Sequence, residues 1–235
     1  MFTIDVLTLF PEIFAPFVGL SIVGRAVEAG VVAIEYHHVL DALQSNERAD
    51  DEPYGGGAGM VMRLDPLARI LDGIIAKAAQ DERRTIVLPT PSGERFTQAH
   101  ARELAAADRV IFVCGHYEGI DDRLGALYPL KEYSLGDFVL TGGELPALAM
   151  IDATVRLREG ALTKESLENE SFTGGTLDYP SYTRPPVFRG VQVPEVLLSG
   201  NHEAIASWRR AASRARTQAR RPDLDVPSLR SPERP

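Results

Sequence analysis

Residues 2–10 read Phe2-Thr3-Ile4-Asp5-Val6-Leu7-Thr8-Leu9-Phe10. Residues 20–30 read Leu20-Ser21-Ile22-Val23-Gly24-Arg25-Ala26-Val27-Glu28-Ala29-Gly30, and Val31-Val32-Ala33-Ile34-Glu35-Tyr36-His37-His38-Val39-Leu40 follows. The first run is apolar and rich in β formers, which predicts a buried strand. Pro11 and Glu12 then open a short helix, because proline and acids suit a helix start. The pattern over 20–29 is helical, and Gly30 stands where a left-handed C′ residue ends it. Residues 31–40 form a second strand. Strand, helix, strand in that order predicts an α/β fold on a parallel sheet.

The same alternation continues outward. A polar stretch over 44–59, ending Tyr54-Gly55-Gly56-Gly57-Ala58-Gly59, reads as an exposed loop. A helix over 60–79 has Asp65-Pro66 as N-cap and first residue. A strand over 85–88 ends in a tight turn at Pro89-Thr90-Pro91-Ser92-Gly93. Helix 97–107, strand 109–114, a short helix over 121–127 and a short strand at 132–133 follow. The helix over 143–157 carries Leu145, Leu148, Met150, Ile151, Val155 and Leu157, which cover more than one face. Such a helix is buried from several sides, by its own domain or by a second subunit.

Composition shifts at Gly160. Residues 163–175 are polar and aperiodic, as a linker would be. A proline-rich piece and a helix over 203–220 come next, and Pro222 stops that helix. The tail through Pro235 reads as frayed. The chain has 235 residues, enough for one large or two modest domains, with 44% hydrophobic and 25% charged residues. Net charge is −8, so no global basic field marks a nucleic-acid binder. Arg209, Arg210, Arg214, Arg216, Arg220 and Arg221 nevertheless fall in one acid-free stretch. The single cysteine, Cys114, excludes an internal disulfide and fits a reducing compartment. No signal peptide is expected, and no apolar run approaches the ~18 residues of a membrane span.

Several chemistries lack their signatures: there is no dinucleotide fingerprint, P-loop or nucleophile elbow. The five histidines and one cysteine show no metal-ligand spacing, so no metal site is expected. His37 and His38 should point to opposite faces of their strand. What remains is a set of glycine-rich loops, at 89–93, 115–123 and 134–144. Strands ending at Leu88 and Cys114 would bring these loops to the carboxyl edge of the sheet, where α/β folds bind ligands. Main-chain groups there can read an adenine edge without charged side chains.

The residues resemble a known family. Gly115-His116-Tyr117-Glu118-Gly119-Ile120-Asp121-Asp122-Arg123 and Ser134-Leu135-Gly136-Asp137-Phe138-Val139-Leu140-Thr141-Gly142-Gly143-Glu144-Leu145-Pro146 are similar to the bacterial tRNA (guanine-N1)-methyltransferases of the SPOUT superfamily. Leu9-Phe10-Pro11-Glu12, Pro53-Tyr54-Gly55-Gly56-Gly57, Tyr182-Thr183-Arg184-Pro185, Leu197-Leu198-Ser199-Gly200-Asn201-His202 and Arg220-Arg221-Pro222-Asp223-Leu224 extend the match in order. The resemblance implies an α/β domain over 1–161 whose parallel sheet carries a deep trefoil knot. A linker over 162–175 and a small, mainly helical tRNA-binding domain over 176–235 would follow. Physical reasoning alone favours an unknotted sheet, since knots are nearly absent among folds.

The resemblance further implies a cytoplasmic homodimer that methylates N1 of the guanosine 3′ of the anticodon, tRNA position 37, with S-adenosyl-L-methionine. Its cofactor residues would be Pro89, Thr90, Gly115, Tyr117, Glu118, Ser134, Leu135, Gly136, Leu140, Gly142, Gly143, Pro146 and Asp178. Arg156 would lie near guanine O6; read without the resemblance, it is an ion-pair partner of Asp152 four residues earlier on the helix. The family's general base is an aspartate followed by serine, and here Glu170-Ser171 stands in its place, in a linker one residue shorter. The expectation is that Glu170 is the base. His116 replaces the usual arginine, and Phe138 a common tyrosine. Magnesium dependence is a family property with no placed site. Two other readings stay open: a SPOUT enzyme acting on another RNA position, and a noncatalytic RNA-binding protein that kept the pocket.

Overall fold

The computed structural model describes residues 1–168 and 170–224, apart from the side chain of Lys164. The expectation of a frayed tail and the Asn169 position in the linker lie outside the described residues. Two compact units divide at Leu162 and Thr163.

The first unit runs β1 (Phe2–Thr8), a 3-10 turn (Pro11–Ile13), α1 (Ala15–Val18), α2 (Ser21–Glu28), β2 (Val32–His38), β3 (Asp50–Asp51), β4 (Val61–Met62), α3 (Leu64–Lys77), β5 (Arg84–Arg95), α4 (Gln98–Ala106), β6 (Arg109–Val113), α5 (Arg123–Leu127), β7 (Leu130–Ser134) and α6 (Glu144–Val155). Five strands make one sheet in the order β2-β1-β6-β5-β7. Every pairing in it is parallel, as the alternation of strands and helices predicts. Because side chains alternate across a strand, β6 sends Val110 and Phe112 to one face and Ile111 and Val113 to the other. Helices α2, α4 and α6 cover the first face, and α3 and α5 the second. Both faces of β6 are therefore apolar, as is usual for the middle of a parallel sheet.

Helix ends follow local chemistry. Gly30 takes φ +68° after α2, the left-handed position expected of it. Thr97 and His100 form a reciprocal capping box at the start of α4. Helix α3 starts at Leu64 with Arg63 as N-cap, so Asp65-Pro66 is not its cap. Residues 61–62 are instead drawn into a two-stranded ladder with Asp50–Asp51, and the Arg63 N–H donates to Ala49 O at 2.8 Å. The loop over 44–59 thus has an anchor inside it.

The turn expected at 89–93 is corrected too. Strand β5 continues to Arg95, with a register shift between Pro89 and Glu94, both of which pair with Tyr133. Pro89 and Pro91 have no N–H to give the ladder, so residues 90–93 arch outward before the pairing resumes. Gly93 makes the return compact, since a Cβ there would sit 2.5 Å from the Tyr133 nitrogen.

Helix α6 buries Glu144, Ala147, Leu148, Met150, Ile151, Thr154 and Val155 and packs on α2 and α4. Its own unit thus accounts for most of its apolar surface, while Leu145 is 57% exposed.

The second unit contains α7 (Lys164–Glu168), a 3-10 turn (Thr173–Gly175), a hairpin of β8 (Val187–Phe188) and β9 (Val191–Gln192), a second 3-10 turn (Glu195–Leu198) and α8 (His202–Arg220). The stretch read as linker therefore holds a short helix. Asn201 caps α8 by accepting the Ala204 N–H at 3.1 Å. Ser213 and Thr217 on α8 hold the Leu177 backbone: the Ser213 hydroxyl donates to Leu177 O at 2.6 Å, and the Leu177 N–H donates to Thr217 Oγ1 at 2.9 Å.

Candidate active site

Three segments, the arch at 90–93 within β5 and the loops that follow β6 and β7, close around one cavity of about 400 Å³, within the usual range for small-molecule sites. Pro89, Thr90, Gly115, Tyr117, Glu118, Ser134, Leu135, Gly136, Leu140, Gly142, Gly143 and Pro146 all line it. Those are the twelve first-unit residues expected to hold a cofactor. Sequence reasoning passed over other lining residues, among them Pro91, Ser92, Asp122 and Thr141. Pro91 and Ser92 lie in the 89–93 loop expected at this edge, but nothing in their local pattern singles them out from their neighbours.

Main chain builds much of the wall. The Gly143 N–H donates to Gly115 O at 2.7 Å, joining the second loop to the third at the start of α6. A Cβ on Gly143 would lie 2.8 Å from Cys114 Cα and Gly115 N. This approach needs glycine for room, since φ at Gly143 is an ordinary −80°. The Ser134 hydroxyl donates to Gly136 O at 3.0 Å and accepts the Gly136 N–H at 3.1 Å, which tightens the start of the third loop. Tyr117 holds the left-handed backbone region at φ +58°, and residues held there cluster at functional sites. Phe138, Val139 and Leu140 expose apolar surface along the third loop. The glycine loop over 55–59 reaches Glu118: the Glu118 N–H donates to Met60 O at 3.0 Å, and a Cβ on Gly59 would meet Glu118 Oε1 at 2.5 Å.

The electrostatics exclude one chemistry. Burial pushes the Cys114 thiol well above its ordinary value, and the nearby Glu144 carboxylate adds to the shift. A thiol held neutral is a poor nucleophile, so Cys114 packs rather than reacts.

The remaining expected residues lie elsewhere. Arg156 is the part-buried C-cap of α6, where its N–H donates to Asp152 O at 3.2 Å. Glu170 and Asp178 belong to the second unit and share a pocket of about 270 Å³ with Arg209, Arg210 and Ser213. The Ser171 hydroxyl donates to Asp178 Oδ1 at 2.9 Å, and Arg216 lies 3.5 Å from the same carboxylate. Arg209 stacks its guanidinium over the Tyr179 ring at 4.7 Å.

One acidic cluster was not foreseen. Asp5, Glu35 and His37 bring donor atoms within 4.8 Å of one another. Asp5 is fully buried, and its carboxylate already takes Arg109 at 2.5 Å and His37 at 2.7 Å. The arginine offsets the buried charge that a cation would otherwise neutralise.

Comparison with known proteins places the chain in a family. A family profile described as tRNA (Guanine-1)-methyltransferase TrmD matches residues 2–226. A Streptococcus uberis protein named tRNA (guanine-N(1)-)-methyltransferase is 51% identical over 222 residues, covering 94% of this chain and 90% of its own. A protein of the same name from Streptococcus pyogenes serotype M1 is 52% identical over 222 residues, covering 94% of this chain and 88% of its own. With the profile matching nearly end to end, the chain belongs to the TrmD family of tRNA (guanine-1)-methyltransferases.

Proposed function

We propose that this chain methylates N1 of the guanosine immediately 3′ of the anticodon, tRNA position 37, with S-adenosyl-L-methionine as donor. The observation that carries the proposal is the convergence of three loops on one cavity at the carboxyl edge of the sheet, in a chain of this family. The cavity fits the donor. Glycines leave main-chain groups open for an adenine edge, and Leu135, Phe138 and Leu140 give apolar surface for the ring. Pro89, Thr90, Gly115, Tyr117, Glu118, Ser134, Leu135, Gly136, Leu140, Gly142, Gly143 and Pro146 would hold it, and Asp178 would meet its amino group.

The bound donor supplies a methyl group already activated on a sulfonium. The protein therefore has two tasks, to position guanine and to manage its N1 proton. Glu170 takes that proton as general base. As it leaves, negative charge grows on O6, and the Arg156 guanidinium offsets it. The family reading includes a homodimer, in which exposed Leu145 would be covered. The arginines of α8 bind tRNA phosphates, which sets position and not sequence. The guanine is read as an unpaired loop base, the usual target of sequence-specific RNA binding. The trefoil knot belongs to this reading as well, as part of what the family resemblance implies. No residue is assigned to magnesium. Among the described residues, no helix is long and apolar enough to cross a membrane.

The test is transfer of a labelled methyl group to tRNA lacking the modification, with the modified nucleoside identified after digestion. 1-Methylguanosine is the expected product. Absence of transfer, or methyl on another atom, would refute the assignment.

A further inference from the structure

Glu144 is a carboxylate with only 4% of its surface exposed, at the first position of α6. A charge so buried needs partners. One oxygen has a partner, since the Thr8 hydroxyl donates to Oε1 at 2.8 Å. Thr8 is itself fixed by the Phe10 N–H, which donates to its hydroxyl at 2.9 Å. The other oxygen, Oε2, points to the place where Gly142 has no side chain. A Cβ built on Gly142 would collide with Oε2 and lie 2.8 Å from His116 Nδ1. Both atoms thus border one small gap. His116 Nδ1 is sealed from solvent and has no hydrogen-bond partner. The His116 ring is gripped edge-on by Phe10 at 5.0 Å and by Tyr117 at 5.1 Å, so it cannot easily turn away. His116, Gly142 and Gly143 also line the cavity.

We propose that His116 is a positioning residue of this pocket. Its Nδ1–H donates to Glu144 across Gly142 and ties the second loop to the amino end of α6 as the loops close on the donor. The gap beside Gly142 is the travel of that closure, and a side chain there would block it. Thr8 on β1, Glu144 on α6 and His116 after β6 then form one chain of contacts behind the main-chain wall, and the bond completes the pairing of a buried carboxylate. The closure rests on the donor-binding reading given above; the proton on Nδ1 does not.

Two variants and one spectrum test this. His116→Asn keeps an N–H donor near the Nδ1 position, whereas His116→Leu keeps bulk and loses the donor. Calorimetry with S-adenosyl-L-methionine should show the Leu variant about tenfold or more weaker, the usual worth of a charge-assisted hydrogen bond. The Asn variant should recover most of that loss. KM for the donor should rise by the same factor, with a much smaller fall in kcat. A Leu variant that binds like the unaltered protein, or an Asn variant as weak as Leu, overturns the proposal. Imidazole nitrogen NMR of the unaltered protein gives a readout free of donor binding. His116, assigned by its disappearance in His116→Asn, should carry its proton on Nδ1, and Glu144→Gln should shift that signal. A proton on Nε2 alone overturns the proposal even if the protein binds no S-adenosyl-L-methionine. Lack of donor binding with Nδ1 protonated refutes instead the donor-site reading.

Discussion

Replacing Gly143 by alanine tests how the pocket is built. The added methyl would sit 2.8 Å from Cys114 Cα and Gly115 N. Both obstacles are backbone, and Cys114 is fully buried at the end of β6, so neither can swing aside. Relief must come from moving the third loop, which stretches the 2.7 Å bond from Gly143 N–H to Gly115 O. Overpacking a tight site costs about 1–3 kcal/mol, and a weakened hydrogen bond adds up to roughly 1 kcal/mol. For a unit of this size each kcal/mol lowers Tm by about 2–4 °C, so a fall of roughly 2–16 °C is expected. Donor affinity should fall as well, because Gly115, Gly142 and Gly143 line one cavity. Differential scanning calorimetry with and without S-adenosyl-L-methionine reads both effects. Gly73→Ala is the control. Gly73 is an exposed residue inside α3, with nothing within 4 Å of an added Cβ, so that change should stabilise by about 0.5–1 kcal/mol. A Gly143→Ala protein that melts and binds like the unaltered one would refute the main-chain account of the site.

Three further outcomes follow. Glu170→Gln should leave donor binding intact and cut turnover by roughly 10²–10⁴-fold, the usual worth of a general base; near-normal single-turnover rates would remove Glu170 from the mechanism. Substituting Arg214, Arg216 and Arg220 should weaken tRNA binding and lower the dependence of log K on log salt by about 0.7–0.9 for each phosphate left without its arginine, and an unchanged slope with retained affinity would assign these arginines to a solvated face. In acid, Glu47 and Asp108 are each held down to about 2 by hydrogen bonds, from Arg69 and Arg83 first. Their folded-state values lie below the ordinary 4.5 and 3.8, so their contribution is complete above those values and lost as pH falls toward about 2. Arg69→Gln should flatten the loss of stability in that window, and an equally steep loss would show that the Glu47 pair does not matter.

The sequence was most legible where local pattern and global fold agree. The mainly apolar runs at 2–10 and 109–114, with helices between, point to a parallel sheet because strands covered on both faces read as near-continuous hydrophobic runs. The glycine loops were legible as turns that meet at one edge of the sheet, since their spacing from the strand ends places them there, and they line one cavity. Strand order was not legible, because β1 pairs with β6 across roughly a hundred residues and nothing local encodes that choice. Proline punctuation misled at Pro89 and Pro91, where pairing with β7 resumes after the arch. Tertiary pairing likewise overrode the cap signal at Asp65-Pro66. The hydrogen bond from Thr8 to Glu144 spans 136 positions, so only the folded chain shows why a carboxylate follows Gly142-Gly143.

The most direct test of the central claim uses two tRNA transcripts that differ only in the base 3′ of the anticodon, guanine in one and adenine in the other. Each is incubated with this protein and methyl-labelled S-adenosyl-L-methionine, and the modified position is mapped. The account predicts one methyl group per guanine transcript, on N1 of that base, and none on the adenine transcript. Equal labelling of both, or none of either by a folded protein, would contradict it.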